Sequence, residues 1–237
     1  MNWTIPGTVL TDSRANADHV EEMFRSMFLA GGMVLSQVSS ITGLEAHTVQ
    51  NWVKRGFLAP PKNKRYDLEQ VCRIITINML KGALPLEKIC TLMRYINGDL
   101  ADNSDDIIDD ALLYFMFVKL AARARYMGGS EGWENAIENA MSDYQNPGAE
   151  AKSRVEKVLR TMVMAWIASR FKQHVDEMVE QRKQANRITS IRERAIAYHD
   201  LVAPYLEQIR AHCDELELIV EDDLWTLPKY RELLFIR

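Results

Sequence analysis

Residues 33–92, MVLSQVSSITGLEAHTVQNWVKRGFLAPPKNKRYDLEQVCRIITINMLKGALPLEKICTL, decide the fold. Leu35, Val38 and Ile41 recur at helical spacing and place a helix over 35–42. Gly43 follows the last periodic position, where a residue free to take positive φ ends a helix. Leu44 and Glu45 continue the turn into a second helix over 47–55, which carries Val49, Trp52 and Val53 inward and stops at Gly56. Helix, glycine-containing turn and helix, in that order, form the helix-turn-helix pattern. Asp67 supplies an N-cap for a third helix over 68–81, with Val71, Ile74, Ile75 and Leu80 inside and Gly82 closing it. Pro85 stands in the first turn of a fourth helix, where its missing N–H is not needed, and Leu86, Ile89, Cys90, Leu92 and Met93 pack it back.

The outer face of the second helix favours recognition over plain packing. With Val49, Trp52 and Val53 in the core, Thr48, Gln50, Asn51, Lys54 and Arg55 lie on or beside the outer face, and His47 starts the helix. Gln and Asn offer the paired donor and acceptor that match an adenine edge, while Lys and Arg suit guanine or phosphate. Residues 46–66 contain five basic side chains (Lys54, Arg55, Lys62, Lys64, Arg65) and no Asp or Glu, in a chain of net charge −4. Such a local excess is the footprint of a DNA-facing surface on a protein that is not generally basic. Ser36, near the start of the first helix, and Tyr66, at the end of the basic loop, complete the candidate DNA-binding set.

The run LSQVSSITGLEAHTVQNWVKRGFLAPPKNKRYDLEQV, followed by a helix and LPLEKICTLM, resembles the winged helix-turn-helix of MerR-type transcription regulators. Leu35, Val38, Thr42-Gly43, Thr48, Gly56-Phe57-Leu58, Pro60, Lys64, Tyr66 and Val71 carry the match. The run from Pro60 to Tyr66 is closer still to a bacterial MerR-like family, the YkrK-like regulators. The resemblance implies that the second helix enters the major groove and that the loop 60–66 forms a wing on the backbone. It makes Gln50 and Asn51 base-reading candidates and Lys64 and Tyr66 wing contacts. The wing is shorter than is usual for that family, and Gln50 stands where Arg is common.

A length of 237 residues implies one or two domains. Hydrophobic content of 47% with 26% charged is ordinary for a soluble chain with an ample core, and strand signals are scarce. The longest apolar stretch, 111–122, is broken by Lys119 and is too short to span a bilayer. The start, MNWTIPGTVLTDSR, lacks the basic and apolar regions of a secretory signal. Cys72, Cys90 and Cys213 fit neither a disulfide framework nor a zinc pattern, which suggests a cytoplasmic chain with at least two cysteines buried.

Outside the central stretch, an extended arm with a turn at Pro6-Gly7 leads to an amphipathic helix over 18–30, capped by Asp18. The acidic run 99–110 lacks the spacing of a calcium loop and reads as a solvated linker and helix start. A strongly apolar helix follows over 107–127, then a loop at 128–132 and a helix over 133–144. A long helix occupies 150–185. Met116, Met127, Met141, Met162, Met164, Trp133 and Trp166 form either plain core or the lining of an effector pocket.

The last segment, 188–237, reads as a helix over 191–220 with Ala195, Tyr198, Val202, Tyr205, Ile209, Leu216 and Ile219 on one face. Its acids Asp214, Glu215, Glu217, Glu221, Asp222 and Asp223 face out. The phrase ERAIAYHDLVAPYLEQIRAHCDELELIVEDDLWTLPKYRELLF is similar to the extreme C-terminus of type III glutamine synthetases, carried by Trp225, Pro228, Tyr230, Leu233, Leu234 and Phe235. The metal sites, ATP-binding strands and catalytic loops of that enzyme are not in the sequence. The tail either docks on its own chain, contacts glutamine synthetase or its partners, or is a fusion remnant. His19, His47, His174, His199 and His212 are isolated in sequence, and no nucleophile or metal constellation is spaced for catalysis.

The expectation is therefore an all-α chain: an arm and brace helix over 1–30, a MerR-like winged helix-turn-helix over 31–98, a helical dimerisation or effector region over 105–185, and a synthetase-like tail over 186–237. Its expected role is that of a cytoplasmic homodimer that regulates transcription from double-stranded DNA, without metal, cofactor or enzymatic activity. An interaction module of nitrogen metabolism, working through the tail, is the alternative.

Overall fold

The computed structural model describes residues 3–13, 16–98, 100, 106–123, 129–145 and 148–220. These residues are mainly helical and divide between two compact units, Met1–Val163 and Met164–Arg237. In the first unit β1 (Trp3–Thr4) pairs antiparallel with β2 (Thr11–Asp12), and α1 (Ala17–Met27) follows. β3 (Met33–Val34) runs into α2 (Leu35–Thr42), then α3 (Ala46–Lys54), β4 (Arg65–Tyr66), α4 (Leu68–Leu80), α5 (Leu86–Asn97), α6 (Asp110–Arg123) and α7 (Gly129–Ala140). The division falls within α8 (Ala149–Asn186), and the second unit continues through α9 (Ile191–Ala197) and α10 (Ala203–Ile219).

The core of the first unit is α4 packed on α6. Both helices are apolar nearly all round, so each must be surrounded. α2 and α5 also pack on α4, while α1 and α7 pack on α6. Asp67 and Gln70 form a reciprocal capping box that starts α4, in line with the N-cap expected at Asp67. α1 is capped by Asn16 rather than Asp18: the Asn16 side chain accepts from the Asp18 amide at 3.0 Å. Phe24 of α1 meets Tyr114 and Phe115 edge-on, with centroids 5.9 and 6.1 Å apart.

Residues 3–12 form a hairpin that folds into the core, not an extended arm. Trp3 and Ile5 are buried. Gly7 sits so close to α4 that a Cβ there would lie 2.5 Å from the Ile75 carbonyl oxygen. Asn78 donates to the carbonyls of Gly7 (2.9 Å) and Thr42 (3.0 Å), and the Tyr114 hydroxyl donates to Pro6 (2.9 Å).

Three further expectations change. Asp110 is not solvated: its side chain is only 12% exposed and forms an ion pair with Arg73 at 2.8 Å. Residues 99 and 101–105 of the acidic run lie outside the described residues. α7 begins at Gly129, inside the stretch expected as a loop, because Trp133, Ala136, Ile137 and Ala140 bury one helical face and the preceding turn joins their register. The helix expected over 191–220 is interrupted by a π-helical turn at Tyr198–Val202, closed by the Ala203 amide on the Tyr198 carbonyl. Pro204 has no N–H to give to the carbonyl four residues back, and its ring crowds that carbonyl, which favours the wider turn.

In the second unit, α10 returns alongside the end of α8, with Tyr205 edge-on to His174 at 6.3 Å and His212 stacked on His174 at 5.1 Å. Glu217, expected outside, is 8% exposed. The synthetase-like ending, with Glu221, Asp222, Asp223, Trp225, Pro228, Tyr230, Leu233, Leu234 and Phe235, lies outside the described residues. Of the Met and Trp side chains considered for an effector pocket, Met116, Met141, Met162, Trp133 and Trp166 are buried as core, Met164 is half-buried, and Met127 lies outside the described residues. Cys72 and Cys90 are buried and Cys213 is exposed. No helix among the described residues is long and apolar enough to cross a membrane.

Candidate nucleic-acid interface

Two glycines fix the α2–α3 pair. Gly43 ends α2 at φ 69°, and Gly56 follows α3 at φ 72°. At the second, the Phe57 amide reaches the Trp52 carbonyl and the Gly56 amide that of Val53, the paired bonds of a Schellman ending. α3 starts at Ala46 and its last helical residue is Lys54, one position earlier at each end than the spacing implied. Val49 and Trp52 are buried and Val53 is half-buried, so the inward face is as expected.

The basic loop is a small hairpin. Met33 pairs with Tyr66 and Val34 with Arg65, which ties the loop's return strand to the residues leading into α2. The Arg65 amide donates to the Lys62 carbonyl at 2.9 Å across Asn63 and Lys64, whose φ angles are 51° and 62°. Two left-handed central residues are the mark of a type I′ turn, whose twist matches its strands.

The candidate residues fall into two groups. His47, Gln50, Asn51 and Lys54 on α3 and Lys62 and Lys64 on the hairpin are exposed, and Thr48 is half-buried. Gln50, Asn51, Lys54, Lys62 and Lys64 make no side-chain hydrogen bond or ion pair with the described residues. Between α3, the start of α2 and the hairpin lies a cleft of about 540 Å³. Ser36, Gln50, Lys64 and Tyr66 meet there, with Val53 and Pro61 among its apolar walls, while His47, Asn51 and Lys54 stand outside it.

The second group is already engaged. Tyr66, expected as a wing contact, lines the cleft but is only 3% exposed, and burial raises its hydroxyl above the usual tyrosine range. Arg55 pairs with Glu87 of α5 at 2.8 Å and lies over the Phe57 ring at 4.6 Å. Arg65 donates to the Gly32 carbonyl at 2.6 Å.

Gln70 was not among the candidates, yet it anchors the hairpin by donating to the carbonyls of Ala59 (3.2 Å) and Pro60 (3.0 Å). Its signal was local: a Gln three residues after the capping Asp67. Among the described residues no group of three or more His, Cys, Asp or Glu is placed to hold a metal ion.

Residues 20–117 match the family described as a domain of unknown function, DUF1836. The chain is 40% identical over 95 residues to a glutamine synthetase of Bacteroides fragilis (strain YCH46), covering 40% of this chain and 12% of that protein. It is 29% identical over 84 residues to the uncharacterized protein YkrK of Bacillus subtilis (strain 168), covering 34% of this chain and 36% of YkrK. A type-3 glutamine synthetase of Dictyostelium discoideum is 40% identical over 55 residues, or 23% of this chain and 8% of that one. The chain thus spans about a third or less of these relatives. No solved structure matches.

Proposed function

We propose that the chain is a sequence-specific DNA-binding transcription regulator of the winged helix-turn-helix, MerR-like kind, acting as a cytoplasmic homodimer. α3 enters the major groove, where Gln50, Asn51 and Lys54 read base edges. The hairpin is the wing, and Lys62 and Lys64 hold phosphates that position the protein without reading sequence. Dimerisation places two such units on half-sites about one helical turn apart.

One observation carries the reading. Gln50 of α3 and Lys64 of the hairpin, both exposed and unpaired among the described residues, line one cleft, and residues 46–66 contain no acid to repel a phosphate backbone. The test is binding to the upstream DNA of its own coding region and to a scrambled duplex across a salt series. A specific complex that tightens as salt falls, and is lost in Lys62→Glu/Lys64→Glu, supports the reading. Equal binding by the charge-reversed variant sinks it.

Similarity to two glutamine synthetases favours a second reading, in which residues 186–237 contact that enzyme or its partners. Retention of a glutamine synthetase by the full chain, lost on deletion of 186–237, supports it; retention unchanged by the deletion counts against it.

A further inference from the structure

The cleft between α3, the start of α2 and the hairpin has walls that a phosphate backbone does not need. Val34, Leu35, Val53 and Pro61 line it and are each half-buried, so apolar surface stays open there. Its volume of about 540 Å³ falls within the range of about 300–1,000 Å³ of small-molecule sites, which combine apolar walls with a few convergent polar groups.

Four polar side chains line the same cleft. Ser36, Gln50 and Lys64 are exposed and make no side-chain hydrogen bond or ion pair with the described residues. Lys64 brings a positive charge, and no acid stands among the described residues of the lining. Tyr66 points more sharply to a ligand. The residue is 3% exposed, yet its hydroxyl makes no hydrogen bond and is not one of the polar atoms closed off from solvent. The little surface that Tyr66 keeps therefore includes its hydroxyl. A donor so placed without an acceptor is costly, and an oxygen offered to it is favourable. The start of α2 adds to this preference: Val34 at its N-cap has no side-chain oxygen for the first-turn amides, and that end of a helix favours an anion.

We infer that this cleft binds a small apolar anion of the aromatic carboxylate class, its ring on Val34, Leu35, Val53 and Pro61 and its carboxylate on the Tyr66 hydroxyl and the Lys64 ammonium. Ser36 and Gln50 supply further donors at the same opening. Such a ligand covers Gln50 and Lys64 and so competes with DNA. That consequence rests on the DNA reading; the binding itself does not.

The experiment is isothermal titration of the full chain, without DNA, using 2-naphthoate, its uncharged amide 2-naphthamide, and inorganic phosphate. 2-Naphthoate binds, while the amide, which lacks the charge, and phosphate, which lacks the ring, each bind at least about tenfold more weakly. Tyr66→Phe keeps the buried ring and removes only the hydroxyl, so the fold is retained and 2-naphthoate binds about tenfold more weakly, the scale of one hydrogen bond to a charged group. No heat from 2-naphthoate, an amide or phosphate that binds about as well, or unchanged affinity in Tyr66→Phe overturns the inference. Saturating 2-naphthoate then weakens binding of the upstream duplex, and a duplex complex indifferent to it overturns the competition. A chain that binds 2-naphthoate but no duplex overturns the DNA reading alone.

Discussion

Arg73 and Asp110, 37 positions apart, meet at 2.8 Å between α4 and α6 with only 7% and 12% of their side chains exposed. Asn97 adds a hydrogen bond to the other Asp110 oxygen at 3.3 Å. Burial raises the Asp110 carboxyl even though Arg73 beside it pulls the other way, so desolvation outweighs the attraction. Removing one partner strands the other charge in the core. Asp110→Ala alone, or Arg73→Met alone, therefore costs about 3–5 kcal/mol in urea unfolding. Arg73→Met/Asp110→Leu together costs far less than the sum of the two, because neither charge is then buried alone. Additive losses would show that the two side chains are not coupled.

Lys64 occupies a position better suited to glycine. Its φ of 62° is one that an unbranched L-residue adopts at a cost of about 1–2 kcal/mol. Glycine relieves that strain but loses about 0.5–1 kcal/mol to chain entropy. Lys64→Gly should therefore stabilise the fold by roughly 0.5–1 kcal/mol, seen as a rise of a few degrees in melting temperature. If Lys64 holds a phosphate, the same variant binds DNA more weakly and its salt slope falls by about one. Stabilisation without any loss of DNA affinity would mean that the lysine is not kept for contact.

That turn also shows which features a single sequence exposes. The bounds of α2 follow from Leu35, Val38, Ile41 and Gly43 because periodicity and capping are local. The hairpin turn hides because Lys64 stands where Gly would announce it. The Arg73–Asp110 pair is non-local: Asp110 is one of several acids in a run that reads as solvated, and nothing within a few residues names its partner. Arg73 alone, set among Val71, Cys72, Ile74 and Ile75, hinted at a buried charge. Pro204 was a local warning against a straight helix over 191–220. At the candidate interface the inward and outward faces of α3 were legible, but the burial of Tyr66 was not, since it arises from pairing with Met33 across the hairpin.

Gln50 and Lys62 should fail in different ways. Gln50 lines the cleft from α3 and carries no charge, so Gln50→Ala relaxes choice at one base pair by about 1–3 kcal/mol and leaves the salt slope unchanged. Lys62→Ala weakens every sequence alike and lowers the slope by about one. Binding-site selection with each variant, read at two salt concentrations, separates them. A uniform loss in Gln50→Ala removes it from the base-reading set.

Glu69 gives a pH-dependent counterpart to Lys64. Its carboxyl titrates above the ordinary range in the folded chain, so the folded state holds that proton more tightly than the unfolded state does. The group therefore costs stability at neutral pH, and the cost disappears as pH falls through its raised folded value. Glu69→Gln removes the charge and should raise the melting temperature at pH 7, with the advantage shrinking in acid until the two proteins melt together. The sign is the reverse of that for a carboxylate held by a salt bridge, whose loss would destabilise at neutral pH. Calorimetry from pH 4 to pH 7 decides between them, and a Glu69→Gln protein less stable at pH 7 would show that this carboxylate has a partner cation already in place.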